Sequence, residues 1–140
     1  MTRTLIVDGS DTFRQTLRDL LHPRFSLMTF EEARDGEEVL QKLEAYHPDL
    51  IFMDIRLPGQ SGLEIIKKIR SSHCQATIIV LTSFDLPEYR EAASMDGADY
   101  FMSKGSSTTE EVLALVDSIL SDPVQAKMNE TKGRKTEELL

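Results

Sequence analysis

The 140 residues, 40% hydrophobic and 29% charged, suffice for one globular domain with a sizeable core. The net charge of −8 disfavours direct nucleic-acid binding, which depends on neutralising phosphates through a basic face. The single cysteine, Cys74, excludes an intrachain disulfide, and no apolar run approaches the roughly 20 residues of a membrane span. Asp8 interrupts the N-terminal apolar run too early for a signal peptide, so we expect a cytoplasmic protein without membrane contact.

Strand-like and helix-like segments alternate along the chain. Apolar or β-rich runs predict strands at residues 3–8, 26–31, 49–54, 77–82 and 99–102. Five βα units predict an α/β domain in which helices cover both faces of a parallel sheet. Apolar residues at helical spacing mark the helices: Phe13, Leu17, Leu20 and Leu21; Val39, Leu40 and Leu43; Leu63, Ile66 and Ile69; segment 87–95; Val112, Leu115, Val116 and Ile119.

Helix boundaries also have sequence signals. Ser10 or Asp11 can cap the first helix, Pro87 suits the first turn of the fourth, and the fifth begins after Ser107 or Thr108. After residue 122 the helical pattern weakens, and Gly133 interrupts the remaining helix propensity. We therefore expect one domain at residues 1–121. Residues 122–140 would form a short tail that is either flexible or a broken extension of the last helix.

Four polar side chains fall at the ends of four predicted strands: Asp8, Asp54, Thr82 and Lys104. The carboxyl ends of parallel strands share one edge of the sheet, where ligands bind, so we expect these residues to line one crevice. Their types fit phosphoryl transfer. Asp54 would attack phosphorus and form an acyl phosphate, while Lys104 and Thr82 would hold phosphoryl oxygens. Mg²⁺ would offset the charge between the carboxylate and the phosphoryl group.

Each of these residues also has an ordinary explanation. Asp54 could form a turn, and Asp8 could cap the turn into the first helix. Thr82 could continue a β-rich run, and Lys104 could lie on the surface. Their convergence from distant segments favours a common site over separate structural roles. The remaining scattered candidates are expected to be solvated or packing residues rather than metal ligands: His22, His47, His73 and Cys74.

Four motifs occur in order along the chain: LIVD at 5–8, FMDIRLPGQSG at 52–62, IVLTS at 79–83 and GADYFMSK at 97–104. With these motifs the chain resembles, over about residues 3–121, a response-regulator receiver domain of bacterial two-component signalling, in the CheY-like superfamily. The resemblance implies a flavodoxin-like (βα)5 doubly wound sheet of strand order 2-1-3-4-5. It also implies a signalling module rather than an enzyme. We expect no attached output domain.

The resemblance assigns roles to particular residues. Asp54 would be phosphorylated by a histidine kinase or phosphotransfer protein, with Mg²⁺ held by Asp8, Asp54 and the backbone carbonyl of Arg56. On phosphorylation Thr82 would move toward the phosphoryl group and Phe101 would change rotamer. The surface formed by the fourth helix, fifth strand and fifth helix would then contact an unknown downstream protein or a second copy in a homodimer.

Two positions depart from the family pattern. Receivers place two adjacent acids after the first strand, but Gly9 stands here at the position that binds the metal directly. Mg²⁺ should therefore bind more weakly, and Asp54 should meet less like-charge repulsion. Asp11, the nearest replacement, is better suited to capping than to metal binding. Gly105 stands where the family often has a cis proline, and we expect a trans bond because a non-proline cis bond costs about 2.5–4 kcal/mol.

Three functional hypotheses follow. The leading one is a stand-alone phosphoacceptor receiver, and the alternative is a pseudo-receiver that acts as a phosphorylation-independent interaction module because of Gly9. An enzyme acting on a small molecule is the weakest, since no Gly-x-Gly-x-x-Gly follows the first strand. A related aspartyl-phosphate hydrolase would need an acid at the position of Arg56.

Overall fold

The computed structural model describes residues 1–121, and the predicted tail at 122–140 lies outside the described residues. Strands and helices alternate as the sequence predicts. In chain order the elements are β1 (Thr2–Val7), α1 (Asp11–Leu21), β2 (Met28–Ala33), α2 (Gly36–Tyr46), β3 (Leu50–Met53), β4 (Arg56–Leu57), β5 (Gln60–Ser61), α3 (Gly62–Ser71), β6 (Thr77–Thr82), α4 (Pro87–Asp96), β7 (Tyr100–Ser103) and α5 (Thr109–Ser121). None of the helices within residues 1–121 has the length and hydropathy of a membrane span.

The main sheet contains five parallel strands in the order β2-β1-β3-β6-β7. With β6 and β7 counted as its fourth and fifth strands, this is the order 2-1-3-4-5, so the flavodoxin-like α/β prediction is confirmed. The strand order reverses at β1, which has β2 on one side and β3 on the other. Such a switch point opens a crevice beyond the carboxyl ends of the two central strands.

The sheet separates two hydrophobic cores. Within β3, Ile51 and Met53 pack into one core, and Leu50 and Phe52 pack into the other. The first core includes residues from α2, α3 and α4, whereas the second includes residues from α1 and α5. Both faces of the central strands are therefore covered, which explains why these strands are continuous apolar runs rather than alternating ones.

Strand β2 begins two residues later than predicted. It lies at the sheet edge, pairs in register from Thr2 with Met28 to Val7 with Ala33, and has only its two end residues fully buried. Its weak hydrophobic pattern could not define its ends, which depend on pairing with β1. A second difference from the prediction is a short antiparallel hairpin of β4 and β5, joined by a two-residue turn at Pro58 and Gly59. Gly59 has a φ of 77°, as a type II turn requires after proline.

Helix caps follow the predicted chemistry. Ser10, rather than Asp11, caps α1, because its hydroxyl oxygen accepts a hydrogen bond from the Phe13 N–H at 3.1 Å. At α5, Thr108 and Glu111 form a reciprocal capping box through two side-chain to backbone hydrogen bonds of 2.8 and 3.1 Å. These caps fix where α1 and α5 begin, just beyond the segments that carry Asp8 and Lys104.

Candidate functional site

The four predicted polar residues lie at one edge of the main sheet. Asp8 follows β1, Asp54 follows β3, Thr82 ends β6 and Lys104 follows β7. Backbone hydrogen bonds extend the sheet pairing into this region, from the Asp54 N–H to the Val7 carbonyl at 3.0 Å and from the Lys104 N–H to the Thr82 carbonyl at 2.8 Å. The sheet itself therefore sets the spacing of the residues that carry the side chains.

Lys104 bridges the two carboxylates. Its ammonium nitrogen lies 2.6 Å from Asp8 Oδ2 and 3.3 Å from Asp54 Oδ2. The side chains of Asp8, Asp54 and Lys104 are only 4%, 11% and 18% exposed, so water screens these contacts weakly. The Phe13 ring covers the ammonium, with 3.9 Å between the nitrogen and the ring centroid. When all three groups are ionised, one positive charge faces two negative charges.

The two oxygens of Asp54 have different surroundings. Oδ2 accepts from Lys104, whereas Oδ1 is buried and has no hydrogen-bond partner among the described residues. A buried carboxylate oxygen without a donor is costly, and a hard cation would satisfy it. The excess negative charge and this free oxygen fit Mg²⁺, with Asp8, Asp54 and the Arg56 carbonyl as the predicted ligands. Within residues 1–121 no group of three His, Cys, Asp or Glu side chains is arranged to hold a metal.

Asp8 has both carboxylate oxygens engaged. Oδ1 accepts from the Ser10 N–H at 2.8 Å, and Oδ2 accepts from Lys104. Burial raises the pKa of Asp8, and the nearby Asp54 charge adds to this, while the Lys104 and Ser10 hydrogen bonds and the Lys104 charge oppose it. A cation that binds Asp8 would therefore share its carboxylate with Lys104.

Gly9 is not required by the backbone. Among the described glycines, positive φ angles occur at Gly59 and Gly97, so Gly9 adopts a conformation open to any residue. A Cβ atom at Gly9 would lie 3.2 Å from Pro58 Cδ, a contact that a shift of a few tenths of an ångström relieves. The glycine thus removes a carboxylate without meeting a conformational need.

Thr82 and Phe101 lie on the side of the site that faces α4. Thr82 is fully buried, and its hydroxyl oxygen accepts from the Phe84 N–H at 3.3 Å. The Phe84 ring carries the Arg56 guanidinium at 4.3 Å. Half-buried Phe101 stacks under the Arg90 guanidinium at 4.7 Å from the ring centroid. The structure thus places Thr82 and Phe101 next to residues that flank or belong to α4.

Several residues near the site were not predicted. Gly62 packs against the Asp54 backbone so closely that a Cβ atom there would lie 2.0 Å from the Asp54 carbonyl oxygen. Arg14, buried in α1, donates to the Asp8 carbonyl. Gly62 stands inside the motif around Asp54, which could have drawn attention to it. Arg14 gives no comparable signal, because an arginine in an amphipathic helix is typical of a solvated face.

Asp11 and the three histidines lie on the protein surface. The Asp11 side chain is 86% exposed and pairs with Arg14 rather than joining Asp8 and Asp54. The three histidines are exposed, and the Lys104–Gly105 bond is trans, as are all peptide bonds in residues 1–121. The candidate site therefore consists of Asp8, Asp54 and Lys104 in direct contact, with Thr82 beside them.

The raised pKa of Asp8 predicts how stability changes with pH. In metal-free buffer, Asp8→Asn should gain stability relative to the wild type as pH rises from the ordinary Asp value of 3.8. Below that value Asp8 is protonated in both the folded and unfolded chains. Because the pKa of Asp8 is higher in the folded chain, the folded chain holds this proton more tightly than the unfolded chain, which stabilises the fold at low pH. The wild type loses this stabilisation as pH rises through the folded pKa, whereas asparagine does not titrate.

Urea unfolding followed by circular dichroism, at several pH values between about 3 and 7, would measure this difference. The prediction is contradicted if the unfolding free energy of Asp8→Asn minus that of the wild type stays constant or falls as pH rises.

Comparisons with known proteins identify the family. Residues 4–117 match the family model of the response regulator receiver domain. The response regulator GacA of Pseudomonas viridiflava is 31% identical over 115 residues, which cover 82% of this chain and 54% of GacA. The chemotaxis protein CheY of Halobacterium salinarum is 34% identical over 102 residues, 73% of this chain and 83% of CheY.

Solved structures agree. The crystal structure of a two-component response regulator from Clostridium difficile has a TM-score of 0.79 and 28% identity, covering 86% of this chain and 96% of that one. This chain spans about half the length of the GacA proteins that it matches. Family model, relatives and fold concur: the chain belongs to the response-regulator receiver family of two-component signalling proteins.

Proposed function

We propose that this receiver accepts a phosphoryl group on Asp54 and signals through protein–protein contacts. The observation that carries the proposal is the Asp54 carboxylate: Lys104 holds one oxygen, and the other has no hydrogen-bond partner within residues 1–121. Receiver domains generally bind Mg²⁺ at the phosphorylation site. Family membership supports a histidine kinase or phosphotransfer protein as the phosphoryl donor.

In the proposed reaction the Asp54 carboxylate attacks the phosphorus of a phosphohistidine. The new P–O bond forms as the P–N bond breaks, and the bond electrons and a proton go to the leaving imidazole. Lys104 stays beside Asp54 and pairs with the incoming phosphoryl oxygens. Bound Mg²⁺, held by Asp8, Asp54 and the Arg56 carbonyl, would neutralise charge on the transferring group.

The proposed switch begins at Thr82. Its hydroxyl oxygen accepts from the Phe84 N–H, which leaves its own O–H free to donate to a phosphoryl oxygen. A shift of Thr82 would move the loop before α4, and Phe101 with its Arg90 cover would respond. The surface of α4, β7 and α5 would then contact a downstream protein or a second copy, and Met95, 81% exposed, lies in α4.

We propose further that the receiver acts without direct nucleic-acid contact. The net charge of −8 favours a protein partner over nucleic acid.

The pseudo-receiver remains the second candidate, and Gly9 is the observation that favours it. Asp8 and Asp54 share a single ammonium, and the position next to Asp8 contributes no carboxylate. Under this hypothesis the fold serves as an interaction module whose partner binding does not depend on phosphorylation.

Phosphorylation can be tested with a small-molecule donor. In Mg²⁺ buffer with acetyl phosphate, intact mass spectrometry should show one added phosphoryl group on the wild type and none on Asp54→Asn. Asp19→Asn, which removes an exposed carboxylate of α1, is the matched control and should be phosphorylated like the wild type. An adduct that survives in Asp54→Asn, or none on the wild type at any Mg²⁺ concentration, would count against the proposal.

Substitutions at Gly9 separate the two candidates. Gly9→Asp places a carboxylate beside Asp8 if Pro58 shifts by a few tenths of an ångström, and should lower the Mg²⁺ dissociation constant by about tenfold, a change on the order of 1.4 kcal/mol. Gly9→Asn has nearly the same shape without the charge and should remain close to the wild type. Calorimetric titration measures the constants, and the acetyl phosphate assay measures phosphorylation.

For a phosphoacceptor receiver, the wild type and Gly9→Asp should both form the adduct, at different Mg²⁺ concentrations. If only Gly9→Asp binds Mg²⁺ and accepts phosphate, the pseudo-receiver is the correct account. Equal Mg²⁺ affinity in both proteins would show that Gly9 does not weaken Mg²⁺ binding.

A further inference from the structure

Arg14 is a buried arginine in a helix whose other charged residues are exposed. It lies in the first half of α1 and is only 8% exposed. Arginine is almost never buried to this degree unless its charge is paired. Its position behind the turn between β1 and α1 places it next to the segment that carries Asp8.

The Arg14 guanidinium makes three contacts to three elements. Nη1 donates to the backbone carbonyl of Asp8 at 2.5 Å, Nε donates to Glu32 Oε1 at 2.8 Å, and Nη2 pairs with Asp11. One planar group thus joins the end of β1, the start of α1 and the end of β2. Lysine, with a single nitrogen, could not reproduce this fork.

The charges around Arg14 cancel. The second oxygen of Glu32 accepts from Arg18 at 2.7 Å, so two arginines face two carboxylates. Burial would raise the pKa of Glu32, but the hydrogen bonds and charges of both arginines lower it, which keeps the network ionised. A network with no net charge adds little to the electrostatic potential at Asp54. We therefore expect Arg14 to affect the site by orienting Asp8.

The turn after β1 has few other restraints. The Asp8 N–H donates to the Ala33 carbonyl at 3.1 Å, and the Ser10 N–H donates to Asp8 Oδ1. Gly9, between them, has no side chain to pack against Pro58. The Arg14 contact to the Asp8 carbonyl adds a side-chain anchor that reaches this turn from the body of α1.

We propose that Arg14 is a positioning residue that holds the turn after β1, so that the Asp8 carboxylate stays directed at Lys104 and at a bound cation. The metal part of this inference rests on the proposed function. The orientation part does not, because the contacts to Asp8 exist in the metal-free protein. Outer contacts that orient metal ligands typically change metal affinity by 10–100-fold.

The test uses Arg14→Lys and Arg14→Gln, with Arg18→Gln as the matched control. Arg18 shares Glu32 with Arg14 but makes no hydrogen bond to Asp8, and its side chain is 45% exposed. Two properties of the full-length protein are measured: hydrogen exchange of the Ser10 amide by NMR without metal, and the Mg²⁺ dissociation constant. The Ile79 amide in the central strand β6 reports global opening.

Both Arg14 variants should exchange the Ser10 amide several-fold faster while Ile79 is unchanged, and should weaken Mg²⁺ binding by about tenfold. Arg18→Gln should match the wild type in both measurements. Equal acceleration at Ser10 and Ile79 would show a general structural role and overturn the proposal, as would wild-type values in Arg14→Lys. Arg14→Lys keeps the charge and stem, so it serves if Arg14→Gln does not fold.

Failure of the proposed function gives a different result. A wild type that binds no Mg²⁺ would contradict phosphoacceptance, yet the Ser10 exchange in metal-free protein would still support or overturn the positioning role. The two proposals therefore fail separately.

Discussion

The ion pair of Lys104 with two buried carboxylates is the interaction on which the site depends. Asp8 and Asp54 come from adjacent strands of a parallel sheet, so their approach is a consequence of strand order. Two buried carboxylates this close would repel, and the ammonium at 2.6 and 3.3 Å offsets that repulsion. The offset is incomplete, and the remaining negative charge would attract the cation of the proposed function, which in turn would offset the charge of an incoming phosphoryl group.

Gly9 changes the balance in this pocket rather than its architecture. A second acid beside Asp8 would make the pocket more negative and more attractive to Mg²⁺, and its backbone conformation would allow one. Without it, a bound Mg²⁺ would rely on Asp8, Asp54 and the Arg56 carbonyl, and both carboxylates already contact Lys104. Under such a shortage the orientation of Asp8 matters more, which gives Arg14 its proposed importance.

The sequence predicted the fold and the site residues where a pattern had a single physical cause. Short apolar runs such as Leu50 to Met53, followed by a Pro/Gly turn, are typical of strands covered on both faces, and Ser10 and Pro87 act locally on their own helices. It could not define the ends of β2, which depend on pairing with β1. Nor could it predict the Arg14 contact or show that Lys104 reaches Asp8 more closely than Asp54, since these distances depend on tertiary packing.

Lys104 and a bound Mg²⁺ would compete for the same two carboxylates, Asp8 and Asp54. The most direct test is calorimetric Mg²⁺ titration of Lys104→Met, which keeps an apolar stem but removes the ammonium. If they compete, Mg²⁺ should bind at least about tenfold more tightly to Lys104→Met than to the wild type, since a charge in this partly buried pocket opposes a cation by more than about 1.4 kcal/mol. Unchanged or weaker Mg²⁺ binding in a folded Lys104→Met protein would contradict this competition.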